Sequence, residues 1–171
     1  GLERWGLEVV AGYDLGKIRH PSHFTIFWLD KGVYKQVYQI FMDGWEYTRQ
    51  VEHIKNLIEP FKIRRIYYDN TRGELEAFIE NGIIPQGLWQ GVVFSMKEKF
   101  EMASNFARLI NQERITLINH PRMIRSILNV NNNLDSLETA DGHGDAFWSI
   151  SLAIRHKPLT PPIIIGGGKR R

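Results

Sequence analysis

The sequence predicts an α/β domain built on one mixed sheet, its first three strands an antiparallel meander, its later strands parallel, with helices on both faces. Three observations predict it. A strand-length apolar run near the start is followed by a hairpin rather than a helix. Later strand-like runs alternate with amphipathic helical stretches. A final helix is apolar around much of its circumference.

The elements follow in order. Leu7–Tyr13 is a mostly apolar run closed by Asp14 and Gly16, as a buried strand would be. His23–Leu29 and Val33–Phe41 are rich in aromatic and β-branched residues, and Asp30-Lys31-Gly32 between them is a hairpin signal. Val51, Ile54, Leu57 and Ile58 recur at helical spacing, which predicts a helix from about Tyr47 to Ile58, ended by Pro60. Ile63–Tyr68 reads as a strand stopping at Asp69, Glu74–Glu80 as a short helix and Leu88–Phe94 as a strand. Ser95, with Glu98 three residues on, starts a helix running to about Asn111. A short strand at Ile115–Ile118, a short helix at Pro121–Leu128 and a last helix at Asp145–Ile154 complete the pattern. Asn129–Gly144 is polar and reads as a loop or exposed hairpin. Trp28, Trp45, Trp89 and Trp148 are expected in or at the edge of the core.

This is the ribonuclease H-like order of elements. A doubly wound nucleotide-binding fold would place a helix directly after the first strand. The expected organisation is one domain over residues 1–157 and a proline- and glycine-rich basic tail over 158–171.

Composition narrows the chemistry. The chain has 171 residues, 43% hydrophobic and 12% aromatic, which suits a packed globule. It has no cysteine, so disulfides, thiolate metal sites and cysteine nucleophiles are excluded. The net charge of +3 permits an anionic partner without demanding one. No apolar run approaches the roughly 20 residues of a membrane-spanning helix, and no signal peptide is visible. No G-x-S-x-G elbow points to a serine nucleophile, and no G-x-x-x-x-G-K-[ST] loop points to an ATP site.

Three acids stand at special places. Asp14 ends the first strand, Asp69 ends the fourth, and Asp145 opens the last helix. Neighbouring strands lie ~4.8 Å apart, so carboxylates at adjacent strand ends repel and one is pushed toward protonation. Divalent cations relieve that repulsion. Mg2+ or Mn2+ takes carboxylates together with water and phosphate oxygens, and two ions about 3.5–4 Å apart can span one phosphodiester. Each acid alone also suits a plainer role: Asp14 a turn after a strand, Asp69 a turn or helix cap, Asp145 an N-cap. Their combination points to metal-dependent hydrolysis. His143 is a candidate ligand or proton carrier, and Asp141 a candidate extra ligand or a group behind the ligands. Lys17, Arg19, His20, His23 and Arg72 are candidate phosphate contacts; for several of them a solvated hairpin edge is the alternative. Asn70 and Thr71 are placed to steady Asp69.

At these positions the chain resembles a known family. A first strand ending Gly-x-Asp-x-Gly (Gly12–Gly16), a later strand ending Tyr-Asp-x-Thr (Tyr68–Thr71) and a His-x-Asp start to an apolar helix (His143–Ala153) look like the C-terminal nuclease domain of tailed-phage terminase large subunits. The resemblance runs over about Leu7 to His156. It implies a metal-dependent endonuclease that cuts double-stranded DNA during viral genome packaging, with two Mg2+ or Mn2+ ions when DNA is bound. It also implies an N-terminal ATPase domain, a portal and a small terminase subunit as partners, a host-cytoplasmic setting, and a monomer in isolation. Many relatives carry paired aspartates after the histidine. This chain has Gly144-Asp145, which leaves Asp141 as the candidate fourth carboxylate. The resemblance also implies a DNA-guiding hairpin in Asn129–Asp141. Two other readings fit the same pattern: a junction resolvase, transposase-like or hybrid-cutting nuclease, and a non-catalytic scaffold that docks DNA or a motor.

Overall fold

A computed structural model of the chain describes residues 7–16, 20–85, 87–130, 134 and 144–157. Six strands form one sheet in the order β5-β4-β1-β2-β3-β6. β1 (Glu8–Asp14), β2 (Ser22–Asp30) and β3 (Val33–Met42) are the antiparallel meander. β4 (Arg65–Asp69) pairs parallel with β1, β5 (Trp89–Val92) with β4, and β6 (Ile115–Thr116) with β3. The helices are α1 (Tyr47–Phe61), α2 (Glu76–Glu80), α3 (Met96–Asn111), α4 (Pro121–Leu128) and α5 (Asp145–Ile154). This is a ribonuclease H-like architecture.

Strand alternation divides the core between two faces. Val9, Ala11 and Tyr13 of β1 pack with Ile66 and Tyr68 of β4 against α1 and α2. Val10 faces the other way, toward α3, α4 and α5, as does Tyr67. The same period of two assigns Asp14 to the face of Val10 and Gly12, and Asp69 to the face of Tyr67. Both acids therefore end their strands on the α5 side. β3 changes parity midway, because the pairing shifts between Ile26/Phe27 and Val37 is left unpaired as a bulge.

α5 lies across the middle of this face. Every residue from Asp145 to Ile154 except Phe147 is buried, which explains its apolar circumference: the sheet is beneath it, and α3 and α4 pack against it. It approaches β1 closely because residue 12 is glycine. A Cβ built there would stand 1.8 Å from the Ser149 carbonyl oxygen and 2.8 Å from the Ala153 nitrogen, both backbone atoms.

Element boundaries carry local reasons. The hairpin turns on Lys31 and Gly32, both at positive φ, as a two-residue connection twisted to match its strands requires. Ser95 caps α3 by accepting from the Glu98 N–H, but the Glu98 carboxylate pairs with Arg155 instead of reaching back to Ser95. Two expectations are corrected. Pro60 does not end α1, which runs on to Phe61. Proline in a last turn loses only one hydrogen bond, and the helix stops where Lys62 turns left-handed, its N–H and that of Ile63 closing on Glu59 and Ile58. Trp28 is 42% exposed on the sheet rather than in the core. Residues 131–133, 135–143 and 158–171, which carry most of the expected hairpin and the whole tail, lie outside the described residues. No described helix is long and apolar enough to cross a membrane.

Gly12→Ala is expected to lower unfolding free energy by about 3 kcal/mol or more, because the methyl group meets backbone that cannot rotate away. Chemical denaturation measures this; a loss under about 1 kcal/mol would contradict the close seating of α5.

Candidate metal and phosphodiester site

The β1–β4 pairing ends at Tyr13↔Tyr68, so Asp14 and Asp69 are the next residues on two adjacent parallel strands. α5 runs over the same strands with its N-terminal residue, Asp145, at that end. The three acids are thus brought to one end of the sheet. Asp14 and Asp145 are buried, and Asp69 is half-buried.

The Asp14 carboxyl is held well above the usual carboxylate range. Burial is the main cause, followed by the charges of Asp145 and Asp69 and a hydrogen bond with Asp145; the Arg72 guanidinium opposes them. Asp69 is also raised, first by burial. Two bonds from Thr71 pull it down, Glu74 pushes it up, and Arg72 again opposes. The charge effects on Asp14 need Asp145 and Asp69 to be close to it. Among the described residues, no group of three or more His, Asp or Glu side chains is arranged so that it could hold a metal ion by itself. The donors still suit a hard cation: all are oxygens, there is no thiolate in the chain, and Mg2+ or Mn2+ ordinarily completes its shell with water and phosphate oxygens.

The neighbours orient the acids. Thr71 donates to Asp69 Oδ1 from both its backbone N–H, at 2.9 Å, and its hydroxyl; that hydroxyl also accepts from the Phe94 N–H at 2.9 Å. Thr71 therefore steadies Asp69 as expected. Asn70 does not: its amide oxygen is buried without a hydrogen-bond partner, and its side chain lies against Gly91. Arg72 bonds Glu74 through Nε at 2.7 Å and reaches the Leu15 carbonyl at 3.4 Å, so it is held beside the acids rather than loose in solvent. After Asp14 the chain is fastened at Gly16, whose N–H donates to Ser22 Oγ at 2.9 Å and whose carbonyl accepts from Tyr47 at 2.6 Å.

His23 is a correction. It stands opposite Asp14 in the β1–β2 ladder but is fully buried, with Nδ1 2.5 Å from Ser149 Oγ and Nε2 2.8 Å from Gln39 Oε1. Burial pushes its pKa down to about 4, so it is a neutral strut between β2, β3 and α5 and not a phosphate contact. His20 is half-buried. Lys17, Arg19, Asp141 and His143 lie outside the described residues. Glu74, Tyr47 and Ser126 went unnoticed in the sequence. Each works through a partner 20 or more residues away, or a short turn, and none has a distinctive local motif.

No family model matches the sequence, and no curated protein does. Solved structures do. The large terminase nuclease from thermophilic phage G20c with bound zinc superposes with a TM-score of 0.71 at 21% identity, covering 87% of this chain and 81% of that one. The fold is that of large terminase nuclease domains. The Thermus phage P74-26 large terminase nuclease domain gives a TM-score of 0.68 at 23% identity, over 86% of this chain and 78% of that one. The large terminase nuclease domain from bacteriophage SPP1 with bound Mn gives 0.58 at 16% identity, over 86% and 85%.

The raised Asp14 has a consequence for the metal-free protein. Its folded pKa lies above the unfolded value near 3.8, so the folded chain binds more protons. Its favourable contribution is present at low pH and is lost as pH rises through the folded value. Metal-free Asp14→Asn is therefore expected to melt above the wild type at about pH 8, with the difference shrinking as pH is lowered. Thermal melts in chelator across that range test it; a variant that melts lower throughout would show that Asp14 does not stand among repelling charges.

Proposed function

We propose that this chain is the nuclease domain of a phage large terminase and hydrolyses phosphodiesters of double-stranded DNA with the help of Mg2+ or Mn2+. The observation that carries this reading is the gathering of Asp14, Asp69 and Asp145 at one end of the sheet, with Asp14 pushed toward protonation first by burial and then by the charges of the other two. The likeness to terminase nuclease domains, among them structures with bound Mg and Mn, supports it. In this reading residues 1–157 form the nuclease domain and 158–171 a tail. An ATPase domain, a portal and a small terminase subunit are its partners in the host cytoplasm.

Asp14, Asp69 and Asp145 would hold the cations, which when bound supply a nucleophilic water and neutralise the leaving oxygen. Thr71 fixes one Asp69 oxygen and with it the carboxylate plane. Asp145 stands in the first turn of α5, where the helix N-terminus favours a negative charge. Arg72, aimed by Glu74, would take a phosphate oxygen beside the scissile bond. Lys17 and Arg19 would extend that contact along the backbone, while Asp141 and His143 would complete the site.

Asp14→Asn, Asp69→Asn and Asp145→Asn are each expected to reduce Mn2+-dependent plasmid cutting by more than about a hundredfold. Undiminished cutting by any of them removes that residue from the site. A strong preference for RNA–DNA hybrid or four-way junctions over linear duplex would overturn the terminase assignment.

Arg72→Ala is expected to weaken duplex binding and to lower the slope of log affinity against log salt by about one, as the loss of one phosphate contact does. An unchanged slope would assign Arg72 to the Glu74 pair alone.

A further inference from the structure

α5 begins without a side-chain cap of its own. Its N-cap is Gly144, at φ 78 in the left-handed region that glycine adopts freely, and no side-chain atom of that residue meets the first-turn N–H groups. The Ala146 N–H instead donates to Ser126 Oγ at 3.1 Å, across from α4. Ser126 is 1% exposed. A buried hydroxyl on a neighbouring helix thus does what a serine at position 144 would do from within.

The other fastenings of α5 lie further along it. Gly12 meets Ser149 and Ala153, and His23 meets Ser149, so they fix the helix axis on the sheet one turn or more beyond Asp145. α4 is itself anchored near the acids. Arg122 makes two bonds to Asp43, of 2.6 and 2.7 Å, and lies 3.9 Å over the Phe41 ring. Phe41 is opposite His23 in the sheet, and His23 is opposite Asp14. The connection therefore closes: Asp14 to His23 and Phe41 across the sheet, through Arg122 to α4, and through Ser126 back to the residue after Asp145.

We propose that Ser126 is a positioning residue of the acidic site, its hydroxyl capping α5 from the neighbouring helix and so fixing where Asp145 stands against Asp14. The inference rests on the nuclease reading for its effect on cleavage and on the hydrogen bond alone for its effect on the helix.

The test compares Ser126→Ala, Ser126→Cys and Ser126→Thr with the wild type by three measurements: amide hydrogen exchange of the metal-free protein, Mn2+ affinity by calorimetry, and plasmid-cutting kinetics. In Ser126→Ala, the Ala146 amide is expected to lose about tenfold or more of its protection while amides 150–154 keep theirs. Mn2+ affinity and kcat are expected to fall about tenfold, with KM for DNA unchanged. Ser126→Cys keeps the volume but is a weak acceptor, so it follows alanine; Ser126→Thr keeps the hydroxyl and restores all three. Unchanged Ala146 exchange in Ser126→Ala, or full restoration by Ser126→Cys, overturns the proposal. A wild type that takes up no Mn2+ and cuts no DNA overturns the nuclease reading instead, and the Ala146 amide then judges the cap by itself.

Discussion

Helix α5 rests on β1 with no side chain between them at Gly12, and the arrangement of the acidic site follows from that contact. Because a Cβ there would lie inside the Ser149 carbonyl, the helix backbone comes down onto the strand as far as it can. Strand alternation then decides which residues look up at it: Gly12 and Asp14 from β1, Tyr67 and Asp69 from β4. The helix meets them with its first residue at the strand ends, so Asp145 arrives where the two strand acids already are. The core and the site are the same construction. Each large apolar side chain that α5 buries contributes about 1.5–3 kcal/mol, and this apolar packing offsets the cost of crowding carboxylates at one of its ends.

That crowding shapes what can bind. Among the described residues, Asp14 and Asp69 feel the Arg72 guanidinium, while Asp145 and Glu74 add negative charge beside them, in a chain whose net charge is +3. A phosphodiester approaching such an end meets repulsion until cations reverse it. No three of the described acids are placed to hold a metal ion by themselves, so in the proposed nuclease water and phosphate oxygens would supply further donors. Cation and DNA binding in the proposed nuclease should therefore strengthen each other, and by linkage each must raise the other's affinity by the same factor.

Much of this was legible in the sequence because it depends on local periodicity. The meander announced itself by two strand runs around Asp30-Lys31-Gly32, α4 and α5 have the predicted limits, and the three acids stand at the element ends where the pattern put them. What stayed hidden depends on partners distant in sequence. His23 looked like a phosphate contact or part of a solvated hairpin edge because nothing local reveals that Gln39 and Ser149 enclose it. Pro60 looked like a stop because the left-handed turn at Lys62 has no glycine to mark it. Asp145 looked like an N-cap, but the N-cap is Gly144, which has no side chain to offer. The hydroxyl that replaces the cap is on another helix, 20 residues earlier.

The same glycine bears on the missing fourth acid. Where the resembling family often has a second aspartate, Gly144 occupies a left-handed conformation that a side chain adopts only at a conformational cost. An aspartate at 144 would therefore trade backbone strain for an extra ligand, and this chain's geometry at the helix start is built for the glycine. A fourth carboxylate does stand near the others, from an unrelated place: Glu74, in the turn before α2, raises Asp69. Its Oε2 is already engaged by Arg72 at 2.7 Å. Glu74 thus adds negative field at Asp69 while bonding the Arg72 guanidinium and holding it in place. Asp14 and Asp145 share a hydrogen bond, Asp69 is held by Thr71, and Glu74 sets the position of the Arg72 charge beside them.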